Sequence, residues 1–158
     1  MNEMNQKPKN KISFIASDWN MFAVETSDYD SHAIALFKKC IGRVYDQANR
    51  RWLFPNKSYK YLVELVQDCE DLEIVSYIDA AELAKIQIII YKEDGQYFYV
   101  QTPYDDALVG LFNKIGGGFF YYEAKLWCFE HSSRECFEET MKEKMYQIMY
   151  EKDRPKSI

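Results

Sequence analysis

Two similar aromatic hairpin patterns, far apart in the chain, constrain the fold of this sequence most strongly. Residues 43–54 and 119–129 each consist of two strand-like stretches around a polar turn. Each pattern ends in a Trp-x-Phe sequence, and the two tryptophans, Trp52 and Trp127, lie 75 positions apart. A pattern that returns at a fixed period indicates a repeated structural module.

The similarity continues outside the hairpins. Val-Glu-Thr at 24–26 matches Val-Gln-Thr at 100–102, and Leu36-Phe37 matches Leu111-Phe112. In each half, the hydrophobic periodicity predicts two strands, a helix, two strands and a second helix. The sequence therefore predicts an α+β fold of two tandem ββαββα repeats, whose antiparallel sheets each pack against helices and join into one compact unit. The predicted boundaries are 1–11 for a flexible tail, 12–85 for the first repeat, 86–150 for the second repeat and 151–158 for a second tail.

Four helix starts are predicted from local sequence. Ser31 is expected to cap the first helix, Asn56 the second, and Asp105 or Asp106 the first helix of the second repeat. The run Ser132-Ser133-Arg134-Glu135 has the form of a capping box and is expected to open the last helix. The apolar stripe of that last helix is predicted from residues at helical spacing. Its members are Phe137, Met141, Met145, Ile148 and Met149.

The composition favours a folded protein inside the cell. Hydrophobic residues make up 47% of the chain and aromatic residues 16%, which is enough to build a core. No apolar run approaches the roughly 18–20 residues needed to span a membrane. The polar N-terminus has no apolar stretch typical of a secretory signal. We therefore expect an intracellular location and no membrane partner. Within the cell, a nuclear rather than a cytoplasmic location is a separate expectation.

The cysteines and histidines show no metal-binding motif. The four cysteines are scattered without a C-x-x-C pair, and only His32 and His131 are available to supplement them. On this spacing we expect reduced thiols, no zinc or other metal site and no cofactor. No motif for catalysis is present either, so the expected function is not enzymatic.

Charge is distributed unevenly along the chain. The net charge is −5, which argues against a general nucleic-acid binder. Residues 1–69, however, hold 10 Lys and Arg against 8 Asp and Glu, whereas residues 70–158 hold 10 against 17. A polyanion would therefore bind the first half more readily.

The first hairpin carries the densest basic cluster outside the N-terminal tail. Its members are Arg43, Arg50, Arg51, Lys57 and Lys60. Arginine binds phosphates through two hydrogen bonds and stacks on bases. The alternative is a solvated hairpin tip in which Asp46 pairs with one of the arginines. Trp52 and Phe54 are interpreted mainly as core residues beneath the helices.

The second hairpin carries aromatic residues in place of those charges. Residues 119–122 place rings on both faces of a strand. One face is expected to form an interaction surface, made by Phe119, Tyr121, Tyr97 and Tyr99. This surface would pack on the first repeat or on a second subunit, or it would stack on bases.

The first half resembles a HARP domain. The resemblance rests on Phe22-x-Val24, Ile34-x-x-Phe37-Lys38, Arg43-x-Tyr45-Asp46-x-x-x-Arg50-x-Trp52-x-Phe54 and Tyr59-x-x-Leu62. It covers about residues 21–66, and residues 97–141 match in part, as Phe120-Tyr121 and Lys125 replace the Tyr-Asp and Arg positions. HARP domains occur in SMARCAL-type annealing helicases beside a motor domain, and the phosphate-binding motif of such a motor is absent here.

The resemblance implies two tandem HARP-like repeats that bind single-stranded or branched DNA without a motor. The implied nucleic-acid-binding residues are Arg43, Arg50, Arg51, Lys57, Lys60 and Tyr45. The alternative is a protein-interaction adaptor that uses strand 119–122 and the acidic C-terminal helix. The expected partners are accordingly single-stranded or forked DNA, and a protein partner or a second copy of the chain.

Overall fold

The computed structural model describes residues 9–154, which divide into two units between Ala84 and Lys85. None of the helices in this part of the chain is long and apolar enough to cross a membrane. Each unit contains a five-stranded mixed sheet packed by helices.

The first unit consists of five strands and three helices. The strands are β1 (Asn10–Ala16), β2 (Met21–Thr26), β3 (Val44–Asp46), β4 (Arg51–Pro55) and β5 (Leu72–Ser76), and the helices are α1 (Ser31–Phe37), α2 (Tyr59–Gln67) and the short α3 (Ala80–Leu83). The sheet order is β3-β4-β2-β1-β5, in which β5 runs parallel to β1 and the other neighbours are antiparallel.

Aromatic side chains on one sheet face form the core of this unit. Phe22 and Phe54 lie opposite each other in the β2–β4 register, and their rings stack at 5.5 Å. Phe37 of α1 and Leu62 of α2 close over them, and all four side chains are fully buried. The period-two alternation of the strands thus produces the core face that the sequence predicts.

The second unit repeats this arrangement. Its elements are β6 (Gln87–Glu93), β7 (Tyr97–Gln101), α4 (Asp106–Ile115), β8 (Gly118–Tyr121), β9 (Leu126–Glu130), α5 (Arg134–Glu143) and β10 (Gln147–Tyr150). The sheet order is β10-β6-β7-β9-β8, with β10 parallel to β6. Phe98 and Phe129 form the stacked pair, and Phe112 and Phe137 cover it from the helices.

The likeness of the two units extends to single positions. Val24 pairs with Trp52 in the first sheet, and Val100 pairs with Trp127 in the second. The predicted α+β class is confirmed, and the shared order of elements fits the predicted tandem repeat.

The prediction for the last helix is wrong beyond Glu143. Met145 is 92% exposed and has a left-handed backbone with φ 66°, so it ends the helix rather than extending its apolar stripe. Ile148 and Met149 lie in β10, where they pair with Ile88 and Ile89 of β6. The second helix of each unit is therefore followed by a parallel edge strand.

Three of the four predicted caps differ from the structure. Asn56 lies in the 3-10 turn before α2, and no side chain caps that helix. Asp30, not Ser31, caps α1, because its carboxylate accepts hydrogen bonds from the backbone N–H groups of His32 and Ala33. No side chain caps the start of α5, and the Ser133 hydroxyl instead donates to the carbonyl of Gly116. Asp105, by contrast, caps α4 with a bond from Leu108.

The predicted tails lie largely outside the described residues. Residues 1–8 and 155–158 are not among them. Within the described part, the tail predicted over 1–11 ends too late, because Asn10 and Lys11 already belong to β1 and pair with β5. In the predicted second tail, Glu151–Asp153 form a single 3-10 turn.

Candidate nucleic-acid interface

The β3–β4 hairpin presents a pair of aromatic rings at its centre. Tyr45 lies opposite Trp52 in the strand register, and their rings meet edge to face at 5.1 Å. Trp52 also contacts Phe37 of the core at 6.1 Å, but unlike Phe54 it remains only half-buried. Trp52 is thus a core residue on one side and a surface residue on the other.

A buried carboxylate organises the four-residue turn of this hairpin. Asp46 is fully buried and accepts hydrogen bonds from the backbone and the side chain of Asn49, at 3.3 and 2.8 Å. Arg51 Nε lies 3.5 Å from Asp46 Oδ2. Burial by itself would raise the pKa of Asp46, but the bonds from Asn49 and the charge of Arg51 outweigh it and lower that pKa. Asp46 therefore stays ionised and holds Arg51 in place.

Arg50 occupies the last position of the same turn. Its backbone is left-handed, with φ 53°, a conformation that costs an ordinary residue roughly 1–2 kcal/mol. Its side chain is exposed and makes no ion pair within residues 9–154. Of the predicted arginines, Arg51 pairs with a carboxylate and Arg43 donates to backbone carbonyls, whereas no hydrogen bond or ion pair holds the Arg50 guanidinium within the described residues.

The aromatic pair separates two grooves. The first, which we call the Arg50 groove, has a volume of about 680 Å³. It is lined by Val24, Thr26, Ser27, Asp28, Tyr29, Asp30, Ile34, Phe37, Tyr45, Arg50, Arg51 and Trp52. The second, the Arg43 groove, has a volume of about 480 Å³ and is lined by Lys38, Arg43, Tyr45 and Trp52. Each groove therefore combines the aromatic pair with two basic side chains, and the Arg50 groove also contains the carboxylates of Asp28 and Asp30.

Arg43 is anchored at the end of α1. Its guanidinium donates from Nη1 to the carbonyls of Lys38 and Cys40, both at 3.3 Å. These bonds satisfy carbonyl groups left free where the helix ends. Lys38 joins Arg43 in this groove and was not among the predicted site residues, although it belongs to the sequence motif that ends α1.

Two predicted basic residues lie elsewhere. Lys57 is exposed in the 3-10 turn Asn56–Ser58, and Lys60 is exposed in the first turn of α2. Neither lines the Arg50 groove or the Arg43 groove.

The second unit keeps the hairpin geometry without the ion pair between Asp46 and Arg51. Phe120 lies opposite Trp127 with rings at 5.6 Å, as Tyr45 does opposite Trp52. The pair Tyr121 and Leu126 stands where the first hairpin has Asp46 and Arg51. The same scaffold thus carries an ion pair at this position in the first unit and an uncharged residue pair in the second.

The predicted interaction surface of the second unit is partly exposed. Phe119 and Tyr121 are 51% and 46% exposed on the edge strand β8. The Phe119 ring meets Tyr97 edge to face at 6.4 Å, and Tyr99 donates from its hydroxyl to Asp94 at 3.4 Å. The structure thus places Phe119 and Tyr97 in contact, as expected from their shared sheet face.

Comparison with known families supports the expected HARP resemblance of the first unit. Residues 22–76 match the family model described as HepA-related protein (HARP). The resemblance predicted from the motif is confirmed for this segment, which runs from β2 through β5 and includes every residue lining the Arg43 groove. HARP is a DNA-binding-associated domain of SMARCAL-type proteins. Comparisons with curated proteins and with solved structures gave no match.

Proposed function

We propose that the HARP-matching segment, residues 22–76, binds single-stranded or branched DNA through the β3–β4 hairpin, and that the protein does so without catalysing a reaction. One observation carries this proposal. The half-buried Tyr45–Trp52 pair lies between two grooves, and each groove adds two basic side chains.

This arrangement suits a single strand better than a duplex. Proteins hold single strands by stacking bases on aromatic rings while basic groups follow the phosphates. A duplex hides the faces of its bases, so Tyr45 and Trp52 would have nothing to stack on. A fork offers both unpaired bases and closely spaced phosphates. The proposed binding therefore includes branched DNA.

The basic residues have different roles in this proposal. Arg50 is free of ion pairs in the described chain and binds phosphate directly. Arg51 is held by Asp46 at 3.5 Å, so it chiefly fixes the turn and adds positive potential. Lys38 and Arg43 line the other groove and bind the next stretch of backbone.

The test is a fluorescence-anisotropy titration with labelled single-stranded, duplex and forked oligonucleotides of equal length. We expect the wild-type chain to bind the single-stranded and forked probes more tightly than the duplex. Arg50→Glu should weaken that binding by at least tenfold, because it replaces an attractive phosphate contact with a repulsive one.

The second hairpin supplies the matched control. Lys125 has φ 56° at the corresponding turn position, so Lys125→Glu makes the same charge change on the same backbone. That variant should bind like the wild type. If the wild type binds no probe at low salt, or if the two variants lose affinity equally, the hairpin of the first unit is not the binding site.

The aromatic edge of the second unit favours protein interaction as a second function. Phe119 and Tyr121 are about half exposed on the edge strand β8, which is unusual for such large apolar side chains. A second copy of the chain or another protein would cover them. Light scattering of the wild type and of Phe119→Ala separates these cases, since loss of a dimer in the variant identifies self-association.

A further inference from the structure

Three side chains of different chemistry meet on the surface of the first unit. His32 lies in the first turn of α1, whereas Cys69 and Asp71 lie in the loop between α2 and β5. Their potential ligand atoms all lie within 4.8 Å of one another. His32 Nδ1 is 3.3 Å from Asp71 Oδ2 and 3.6 Å from Cys69 Sγ, and the Cys69 thiol donates to Asp71 Oδ1 at 3.0 Å.

Two of these three distances match the edges of a zinc coordination tetrahedron, and the third, 3.0 Å, is that of the thiol hydrogen bond. Zinc binds sulfur at about 2.3 Å and nitrogen or oxygen at about 2.0–2.2 Å, so its tetrahedral ligands lie roughly 3.3–3.6 Å apart. The distances from Nδ1 to Oδ2 and from Nδ1 to Sγ fall within that range. A metal ion would therefore fit with small changes in side-chain rotamers.

We propose that His32 Nδ1, Cys69 Sγ and a carboxylate oxygen of Asp71 bind a zinc ion, with a water molecule as the fourth ligand. A thiolate together with an imidazole selects zinc over magnesium or calcium, which prefer oxygen ligands. The thiol proton leaves to the solvent as the thiolate binds the metal. The site goes beyond the proposed DNA-binding function and does not depend on it.

The surroundings favour a cation. Cys69 and Asp71 line a groove of about 1090 Å³, whose other charged residues are Lys9, Asp28, Asp30 and Glu70. Four carboxylates of this lining face a single lysine, which makes the groove negative. Such a field concentrates divalent cations near the three ligands.

Hydrogen bonds to backbone groups fix the segments that carry the three ligands. Asp30 accepts a bond from the N–H of His32 at 2.8 Å, which fixes the start of α1. Leu72 donates to the carbonyl of Cys69, and Asn10 donates to the carbonyl of Asp71. The loop is therefore tied to β1 and to its own turn before any metal binds, so little ordering is required on binding.

The second unit lacks these ligands. Ala107 occupies the position in α4 that His32 occupies in α1, counted from the capping residues Asp30 and Asp105. The loop after α5, residues 144–146, is Lys-Met-Tyr. The repeated scaffold therefore does not by itself create the cluster, and zinc is expected to bind only one of the two units.

The test is metal titration of the reduced full-length chain. Cobalt(II) replaces zinc in such sites and gives a near-ultraviolet charge-transfer band only when a thiolate is bound. We expect one cobalt ion to bind per chain and to produce this band. The band should disappear when zinc is added, because zinc displaces the cobalt. Cys69→Ser should abolish the band, and Asp71→Asn should weaken zinc binding by at least about tenfold. Cys136→Ser is the matched control, because Cys136 is an exposed thiol of the second unit.

Thiol alkylation mapped by mass spectrometry gives an independent measurement. Zinc should slow the reaction of Cys69 with iodoacetamide and leave that of Cys136 unchanged. Circular dichroism of each variant verifies that it is folded. The absence of a charge-transfer band in the folded wild type, or an equal band in folded Cys69→Ser, would overturn the proposal.

Discussion

Arg50 and Lys125 occupy the same left-handed position in the turns of the two hairpins, with φ 53° and 56°. In both turns the residue that follows begins the second strand of the hairpin, β4 or β9. A glycine would satisfy this backbone more easily than either basic residue. The first unit thus keeps a strained arginine at the tip of the proposed DNA-binding hairpin, where its charge is free.

Because of this strain, replacing Arg50 should increase stability and weaken DNA binding at the same time. Arg50→Gly should raise the free energy of unfolding by up to about 1 kcal/mol, because glycine adopts positive φ without the Cβ clash. The same variant should bind single-stranded DNA more weakly, because the phosphate contact is lost. Urea unfolding and anisotropy titrations of the same preparation measure the two effects.

Lys125→Gly is the control for that prediction. It should gain a similar free energy of unfolding and keep wild-type affinity for DNA. A loss of affinity in Lys125→Gly equal to that of Arg50→Gly would assign DNA contact to both hairpins.

Asp46 makes the stability of the first hairpin dependent on pH. Its pKa is lowered in the folded protein, since the bonds from Asn49 and the charge of Arg51 outweigh its burial. The ionised carboxylate therefore stabilises the fold at pH values above its unfolded pKa of about 4, and this contribution is lost as the pH falls further towards the lower folded pKa. Asp46→Asn should remove part of the acid-induced loss of stability below about pH 4, as measured by thermal melts across pH 2–7.

Asp46→Ala is the harsher substitution. It removes the acceptor of Asn49 and the counter-charge of Arg51, and should lower the free energy of unfolding by about 1.5–3 kcal/mol, the typical contribution of hydrogen bonds to a charged group. Tyr121, the corresponding residue of the second unit, is exposed, so Tyr121→Ala should change the free energy of unfolding by less than about 1 kcal/mol.

Phe54 tests the core under the same hairpin. It is fully buried and stacks on Phe22 at 5.5 Å, so Phe54→Ala should lower the free energy of unfolding by about 3–5 kcal/mol. Amide hydrogen exchange should speed up in β2 and β4, because these two strands contain the stacked residues Phe22 and Phe54. The half-exposed Phe119 is the control, and Phe119→Ala should leave exchange in the first unit unchanged.

The parts of the fold that depend on local pattern were predictable from the sequence. The hairpins have alternating strands around polar turns, and the buried Phe54 and Phe129 follow from that alternation. The last strand was missed because Met141, Met145 and Ile148 recur at helical spacing. What ends α5 at Glu143 is the parallel pairing of β10 with β6, about 60 residues away, which no local pattern encodes.

The site was predictable only where its residues are neighbours in sequence. Tyr45, Arg50 and Trp52 lie in one hairpin, and the structure brings them to one groove. Which arginine pairs with Asp46 was not predictable. Strand register places Arg51, and not Arg50, opposite Asp46, and the resulting distance is 3.5 Å. The cluster of His32 and Cys69 was missed for the same reason, since the fold joins residues 37 positions apart.

The salt dependence of binding measures how many phosphates the hairpin contacts. For single strands, the logarithm of the binding constant falls with the logarithm of salt concentration by about 0.7 for each phosphate neutralised. Arg50→Gln removes one such charge without adding a repulsive one, so its slope should be shallower than that of the wild type by about 0.7. Lys57→Gln should change the slope less, because Lys57 lies outside both grooves. Equal slopes for the wild type and Arg50→Gln would mean that Arg50 contacts no phosphate, and any loss of affinity would then come from stacking or from the turn.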